Sequence, residues 1–109
     1  MVDLAFLART WGGDPKTVAS IVAAFGRSVR EDTAALRDAV ARRDFDAVTR
    51  VAHRMLGAAK MVGAYGLAAS CERVNAAGRS LEGEALAAAM QEFDAEYQRL
   101  LEGLPEAGF

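Results

Sequence analysis

The chain has 109 residues and a formal net charge of −2, which predicts one domain with a single core over residues 1–109. Nucleic-acid binding is excluded because it needs a basic footprint, and membrane contact is not expected because no apolar run reaches the roughly 20 residues of a membrane span. One cysteine excludes an internal disulfide. With no signal-peptide pattern at the start, this favours a cytoplasmic location.

The first part of the chain predicts a short helix followed by a long one. Residues 3–9 read as a helix with Asp3 as N-cap and Leu4, Phe6 and Leu7 as anchors. Trp11 is expected to cover one end of the core, and two glycines follow it. Asp14 and a proline then start a helix to about residue 42, and a kink would fall at Gly26 or at residues 30–33. Its apolar positions recur at helical spacing: Val18, Val22, Phe25, Val29, Leu36 and Val40.

Three further helices are predicted over residues 44–61, 64–79 and 84–101, with Asp44 as an N-cap and Gly63 as a stop. Residues 80–83 form a turn, Gly103 and Pro105 end the last helix, and residues 106–109 are expected to fray. Four amphipathic helices with short connections predict an all-α fold, an antiparallel up-down four-helix bundle with a short extra N-terminal helix. The inward positions of the last two helices are Leu67, Cys71, Val74, Leu86, Met90, Phe93, Tyr97 and Leu100.

The helix over residues 44–61 carries the only histidine, His53, with Gly57 one turn later. A glycine in a helix interior costs roughly 1 kcal/mol relative to alanine, so its presence predicts that space beside the imidazole is needed. At about 100° per residue, Asp46, Arg50 and Lys60 share the face of His53. The opposite arc, which predicts the core face, is apolar: Phe45, Val48, Ala52, Met55, Ala59 and Val62.

Taken alone, a single surface histidine is more often a solvated side chain without a role than a reactive one. A metal site is poorly supported because no second histidine exists to pair with His53. A hydrolase triad fails for the same reason, and Cys71 at an inward position reads as a small buried hydrophobe. A reactive and an inert surface histidine therefore both remain open on this evidence.

These residues together resemble the histidine-containing phosphotransfer (HPt) domains of bacterial two-component phosphorelays, particularly those of hybrid sensor kinases. The sequence departs from the family pattern at two positions, because Leu56 stands where a lysine is usual and Ala58 where a serine is usual. The resemblance rests on residues 11–15 and on His53, Gly57, Ala58, Ala59, Gly63, Ala64, Leu67, Cys71, Glu72 and Arg79.

The resemblance implies a phosphocarrier rather than a self-contained enzyme. His53 would accept a phosphoryl group from the aspartate of a response-regulator receiver domain and pass it to another receiver. The chain itself would hold no cofactor, because Mg²⁺ is expected on the receiver, and nothing in the sequence demands a dimer. The alternative is a non-catalytic helical adaptor that has lost phosphotransfer, since Leu56 replaces the family lysine.

Lys60 is the predicted replacement for that lysine, because it lies two turns after His53 with the open position at Gly57 between them. Arg50 and Arg54 are further candidates to offset phosphoryl charge. Thr49 and Leu56 flank the ring and are predicted to contact the receiver, although Leu56 could instead pack against a neighbouring helix.

Overall fold

The computed structural model describes residues 2–104, and the secondary structure that it contains over these residues is α-helical. The five helices are α1 (Leu4–Trp11), α2 (Pro15–Ala41), α3 (Phe45–Met61), α4 (Tyr65–Ser80) and α5 (Gly83–Glu102). The predicted all-α class is confirmed, and the bounds of the four long helices agree with the sequence prediction to within a residue. Pro105 and the predicted frayed tail, residues 106–109, lie outside the described residues, as does the side chain of Leu4.

Aspartates begin the first three helices, as the sequence predicts. The Asp3 carboxylate accepts a hydrogen bond from the backbone N–H of Phe6 at 2.9 Å, and Asp14 accepts one from Lys16 at 3.1 Å. Asp44 accepts the equivalent bond from Ala47 at 3.1 Å, which begins α3. Each cap satisfies one of the backbone donors that a helix N-terminus leaves without an intrahelical partner.

The connection between α3 and α4 also holds the start of the chain. Gly63 adopts a φ of 69°, and a Cβ built there would lie 2.7 Å from the Cβ of Asp3. The backbone N–H of Asp3 donates to the carbonyl of Val62 at 3.1 Å. Glycine is therefore required at this position by both its backbone angle and its contact, and α1 is fastened to the C-terminal end of α3.

Helix α2 is continuous from Pro15 to Ala41, so no break falls at Gly26 or at residues 30–33. Asp32 and Thr33 are buried in the middle of this polar run. The run therefore contributes to packing between helices instead of interrupting α2.

The long helices pack in succession, α2 on α3, α3 on α4 and α4 on α5, while α1 packs on α2. Arg37 of α2 reaches α5, where it donates to Asp94 at 3.0 Å and lies 5.4 Å from the ring centroid of Tyr97. Val18, Val40 and Phe45 are partly buried, although the sequence placed them in the core. The largest fully buried side chains include Phe93, Leu7, Leu36, Met55, Leu67, Leu100, Val48 and Val74.

Helices α3 and α4 approach closely at Gly78. A Cβ built on this glycine would lie 2.9 Å from Cγ2 of Thr49 and 3.2 Å from Cγ1 of Val48. The missing side chain thus sets the distance between the helix that carries His53 and its neighbour.

No helix in the described part of the chain is long and apolar enough to cross a membrane.

Candidate functional site

His53 lies on the outer face of α3 with its side chain exposed to solvent. The residues that fix this orientation are Ala52 and Met55, which are almost completely buried on the opposite side of the helix. Burial of that face holds α3 in place, so the imidazole is presented to solvent on a rigid element. Within residues 2–104, no side chain forms a hydrogen bond or an ion pair with His53.

Gly57 lies one turn after His53 and leaves the surface beside the ring open. A Cβ built at Gly57 would meet no atom within 4 Å. The glycine is therefore not required by packing within the chain. The space predicted from the sequence is present on the same side of α3 as the imidazole.

Arg54 is engaged on the α2 side of the histidine. Its Nε and Nη2 atoms donate to Oδ1 of Asp32 at 3.1 and 2.8 Å. The Asp32 side chain is only 11% exposed, whereas that of Arg54 is 55% exposed. The hydrogen bond from Arg54 to Asp32, and then the charge of that carboxylate, raise the pKa of the guanidinium. The structure thus shows Arg54 joining α3 to α2, an interaction that the sequence analysis did not include.

Lys60 lies on the α4 side. Its Nζ atom is 3.9 Å from Oε1 of Glu72, and both side chains are largely exposed. Such a pair is at the outer limit of an ion pair and contributes little to stability in water. The ammonium of Lys60 is therefore held loosely.

The other predicted site residues of α3 differ in their surroundings. Arg50 is exposed and forms no ion pair with any residue that the structure describes. Thr49 donates from Oγ1 to the carbonyl of Asp46 at 2.9 Å. Leu56 is partly buried and packs against the core, which agrees with the second of the two orientations considered for it.

Asn75 on α4 was not identified from the sequence. It lies one turn from Glu72, which pairs with Lys60 of α3. It also lies one turn from Gly78, which contacts Thr49 of α3. This register places Asn75 level with the segment of α3 that contains His53. Its Oδ1 atom is buried and accepts no hydrogen bond in residues 2–104.

An apolar groove of about 310 Å³ lies between the end of α1, α2 and the last turns of α3. On α3 it begins at Ala58, the residue after Gly57. Trp11, which the sequence placed as a cover over the core, is instead 40% exposed and forms one wall, and Met61 on the opposite side is 54% exposed. The groove is lined by Trp11, Ile21, Ala24, Phe25, Ser28, Ala58, Met61 and Val62.

Other chemistries find little support among the described residues. No group of three or more His, Cys, Asp or Glu side chains there could hold a metal ion. Cys71 is fully buried, and burial raises the pKa of its thiol to about 12. A thiol with that pKa is protonated near pH 7 and is a poor nucleophile.

Comparison with known proteins gives one finding. The model of the Hpt domain family matches residues 20–103, which include His53, Gly57, Lys60, Glu72 and Asn75. The match begins within α2, so α1 and the residues around Trp11 lie outside it. No curated protein and no solved structure matches the chain significantly. The chain belongs to the Hpt domain family, whose members carry out histidine phosphotransfer in phosphorelays.

Proposed function

We propose that His53 accepts a phosphoryl group from the aspartate of one receiver domain and passes it to the aspartate of another. The observation that carries this proposal is the position of the chain's only imidazole. It is exposed on α3, has open space at Gly57 beside it and lies in the region matched by the family model.

The chemistry needs a nucleophile and room for in-line attack more than an elaborate set of acids and bases. The lone pair of one ring nitrogen forms the new N–P bond. The P–O bond to the receiver carboxylate breaks, and its electron pair leaves on that carboxylate. The reverse exchange delivers the phosphoryl group to the second receiver. Mg²⁺ bound by the receiver would offset the phosphoryl charge, while this chain supplies the imidazole and the surface on which the receiver docks.

A single receiver surface, we propose, covers the histidine face and extends toward the groove that starts at Ala58. Thr49 and Leu56 flank the ring, although Leu56 contributes less than an exposed leucine would because it is partly buried. Lys60 and Arg50 offer exposed positive charge to the phosphoryl group. One copy of the chain supplies all these residues, so the domain acts as a monomer.

The long helices α2–α5 are proposed to form an antiparallel up-down bundle with α1 added at one end. Three features support this arrangement: successive packing, short connections over residues 42–44, 62–64 and 81–82, and the bond from Arg37 to Asp94 that links α2 to α5. Such connections are typical of antiparallel neighbours. Because the sequence resembles the HPt domains of hybrid sensor kinases in particular, the domain is proposed to serve such a kinase in the cytoplasm, where an unpaired thiol such as Cys71 persists.

Phosphoryl transfer from a radiolabelled, phosphorylated receiver tests the function. We expect acid-labile, base-stable label on the wild-type chain and none on His53→Gln. The variant should keep its helical circular dichroism and melting temperature because an exposed side chain contributes little packing. Undiminished labelling of His53→Gln would contradict the assignment. A wild-type chain that binds receivers and takes no label from any of them would be the helical adaptor instead.

A further inference from the structure

Lys60 is placed to meet a charge on His53, yet it has a competing partner. The two residues lie about 10 Å apart along the axis of α3, given 1.5 Å of rise per residue. Long helical side chains lean toward the helix N-terminus, which for Lys60 is the direction of His53. The open surface at Gly57 lies between them, so no side chain of that residue blocks this path.

Glu72 on α4 holds Lys60 in the absence of a phosphoryl group. The 3.9 Å separation of Nζ and Oε1 makes theirs the one ion pair between α3 and α4 in the described part of the chain. Because both side chains are largely exposed, the pair is weak. Lys60 can therefore leave Glu72 when a stronger anion appears nearby.

We propose that Glu72 competes with the phosphoryl group for Lys60 and thereby shortens the time that the group stays on His53. The inference rests on the proposed phosphotransfer function. The Glu72 carboxylate acts in two ways, and both destabilise the phosphoryl group on His53. It withholds the ammonium of Lys60, and it adds negative charge on the side of α3 that the phosphoryl group occupies. Both effects favour return of the group to a receiver aspartate.

A carrier of this kind benefits from such opposition, because a phosphoryl group that is bound too firmly is not passed on. Glu72 would thus be a positioning residue that touches neither receiver nor imidazole and acts through Lys60. Its effect is expected in the equilibrium partition of label between His53 and the receiver, and in the lifetime of phosphohistidine, and not in the fold.

Glu72→Gln tests the inference, with Glu92→Gln as the matched control. Glu92 is a glutamate of similar exposure that pairs with Arg73 across α4 and α5. We expect Glu72→Gln to shift the partition of label toward His53 by about two- to five-fold at low salt, the range that an exposed ion pair supports. Glu92→Gln should partition like wild type. The shift should shrink at about 1 M salt, where the screening length is only about 3 Å.

A second genetic background, Lys60→Ala, separates competition for Lys60 from direct repulsion between the Glu72 carboxylate and the phosphoryl group. In the Lys60→Ala chain, Glu72→Gln should shift the partition less than it does in wild type. An equal shift in both backgrounds would overturn competition for Lys60, and a partition of Glu72→Gln equal to wild type would overturn any role of Glu72. If the wild-type chain takes no label, the phosphotransfer function itself fails, and this inference fails with it.

Discussion

Replacement of Arg54 by alanine should lower stability, although the residue is mostly exposed. The variant removes both donors to Oδ1 of Asp32, at 3.1 and 2.8 Å, and leaves a carboxylate whose side chain is only 11% exposed without a partner. A buried acceptor left unsatisfied costs about 1–3 kcal/mol. Because water can enter where the guanidinium was, we take the middle of this range, about 2 kcal/mol. For a domain near 100 residues this corresponds to a fall in melting temperature of about 10 °C.

Urea titration followed by circular dichroism measures the loss, with Arg50→Ala as the control. Arg50 is an exposed arginine on the same helix with no ion pair in residues 2–104, so its replacement should change stability by less than about 0.5 kcal/mol. Adding Asp32→Ala to Arg54→Ala should cost little more, because the unpaired carboxylate is then gone. A loss under 0.5 kcal/mol for Arg54→Ala would refute the importance of the ion pair.

A comparison of Arg54→Ala with Lys60→Ala distinguishes the roles of these two cations near His53. Lys60→Ala should slow phosphotransfer more than Arg54→Ala does, since Arg54 is bound to Asp32 whereas Lys60 is held loosely. The effect of Lys60→Ala should diminish as salt rises. Equal and small effects at low salt would show that the receiver and its Mg²⁺ supply all the compensating charge.

Three further variants test the remaining structural claims. Gly57→Leu should leave the free energy of unfolding unchanged or raise it by up to about 1 kcal/mol, yet it should slow phosphoryl transfer to His53. Equal transfer rates for Gly57→Leu and Gly57→Ala would contradict the need for open space beside the imidazole. Phe93→Ala should lower the free energy of unfolding by about 3–5 kcal/mol in a denaturant titration because the ring is fully buried. A loss under 1 kcal/mol would show that Phe93 does not lie on the inward face of α5. Burial raises the pKa of the Cys71 thiol from its ordinary value of 9.0 to about 12, so the folded state retains a proton that the unfolded state loses. Stability should therefore fall as pH rises from about 9 to about 12, and a Cys71→Ala chain that shows an equally steep fall would contradict this.

The fold was predictable because its signals are local. Caps at Asp14 and Asp44 mark where helices begin, and the apolar spacing of α3 identified the face that His53 does not occupy. The position of Gly57 also predicted the open surface beside the ring, which required no knowledge of neighbouring helices.

The contacts between helices were less accessible to sequence reasoning. The apolar stripe of α2 passes from Val29 to Leu36 through Asp32 and Thr33, so its spacing carries a signal that these polar residues face inward, although a kink was predicted at residues 30–33. Asn75 follows Cys71 by one turn and gave a similar but weaker signal. Which partner each polar side chain meets depends on the register between helices, and neither the Arg54–Asp32 pair nor the groove beside Trp11 can be derived from periodicity on a single helix.

Because Trp11 forms a wall of the apolar groove, its fluorescence can report whether a partner covers the groove. It is the only tryptophan in the sequence, and its partly exposed indole faces the space between α2 and α3. Indole emission moves to shorter wavelength when water is excluded from the ring. A receiver that covers the groove would therefore shift the emission on binding. One that contacts only the His53 face would leave the emission unchanged, so unlabelled protein can report how far along α3 a partner extends.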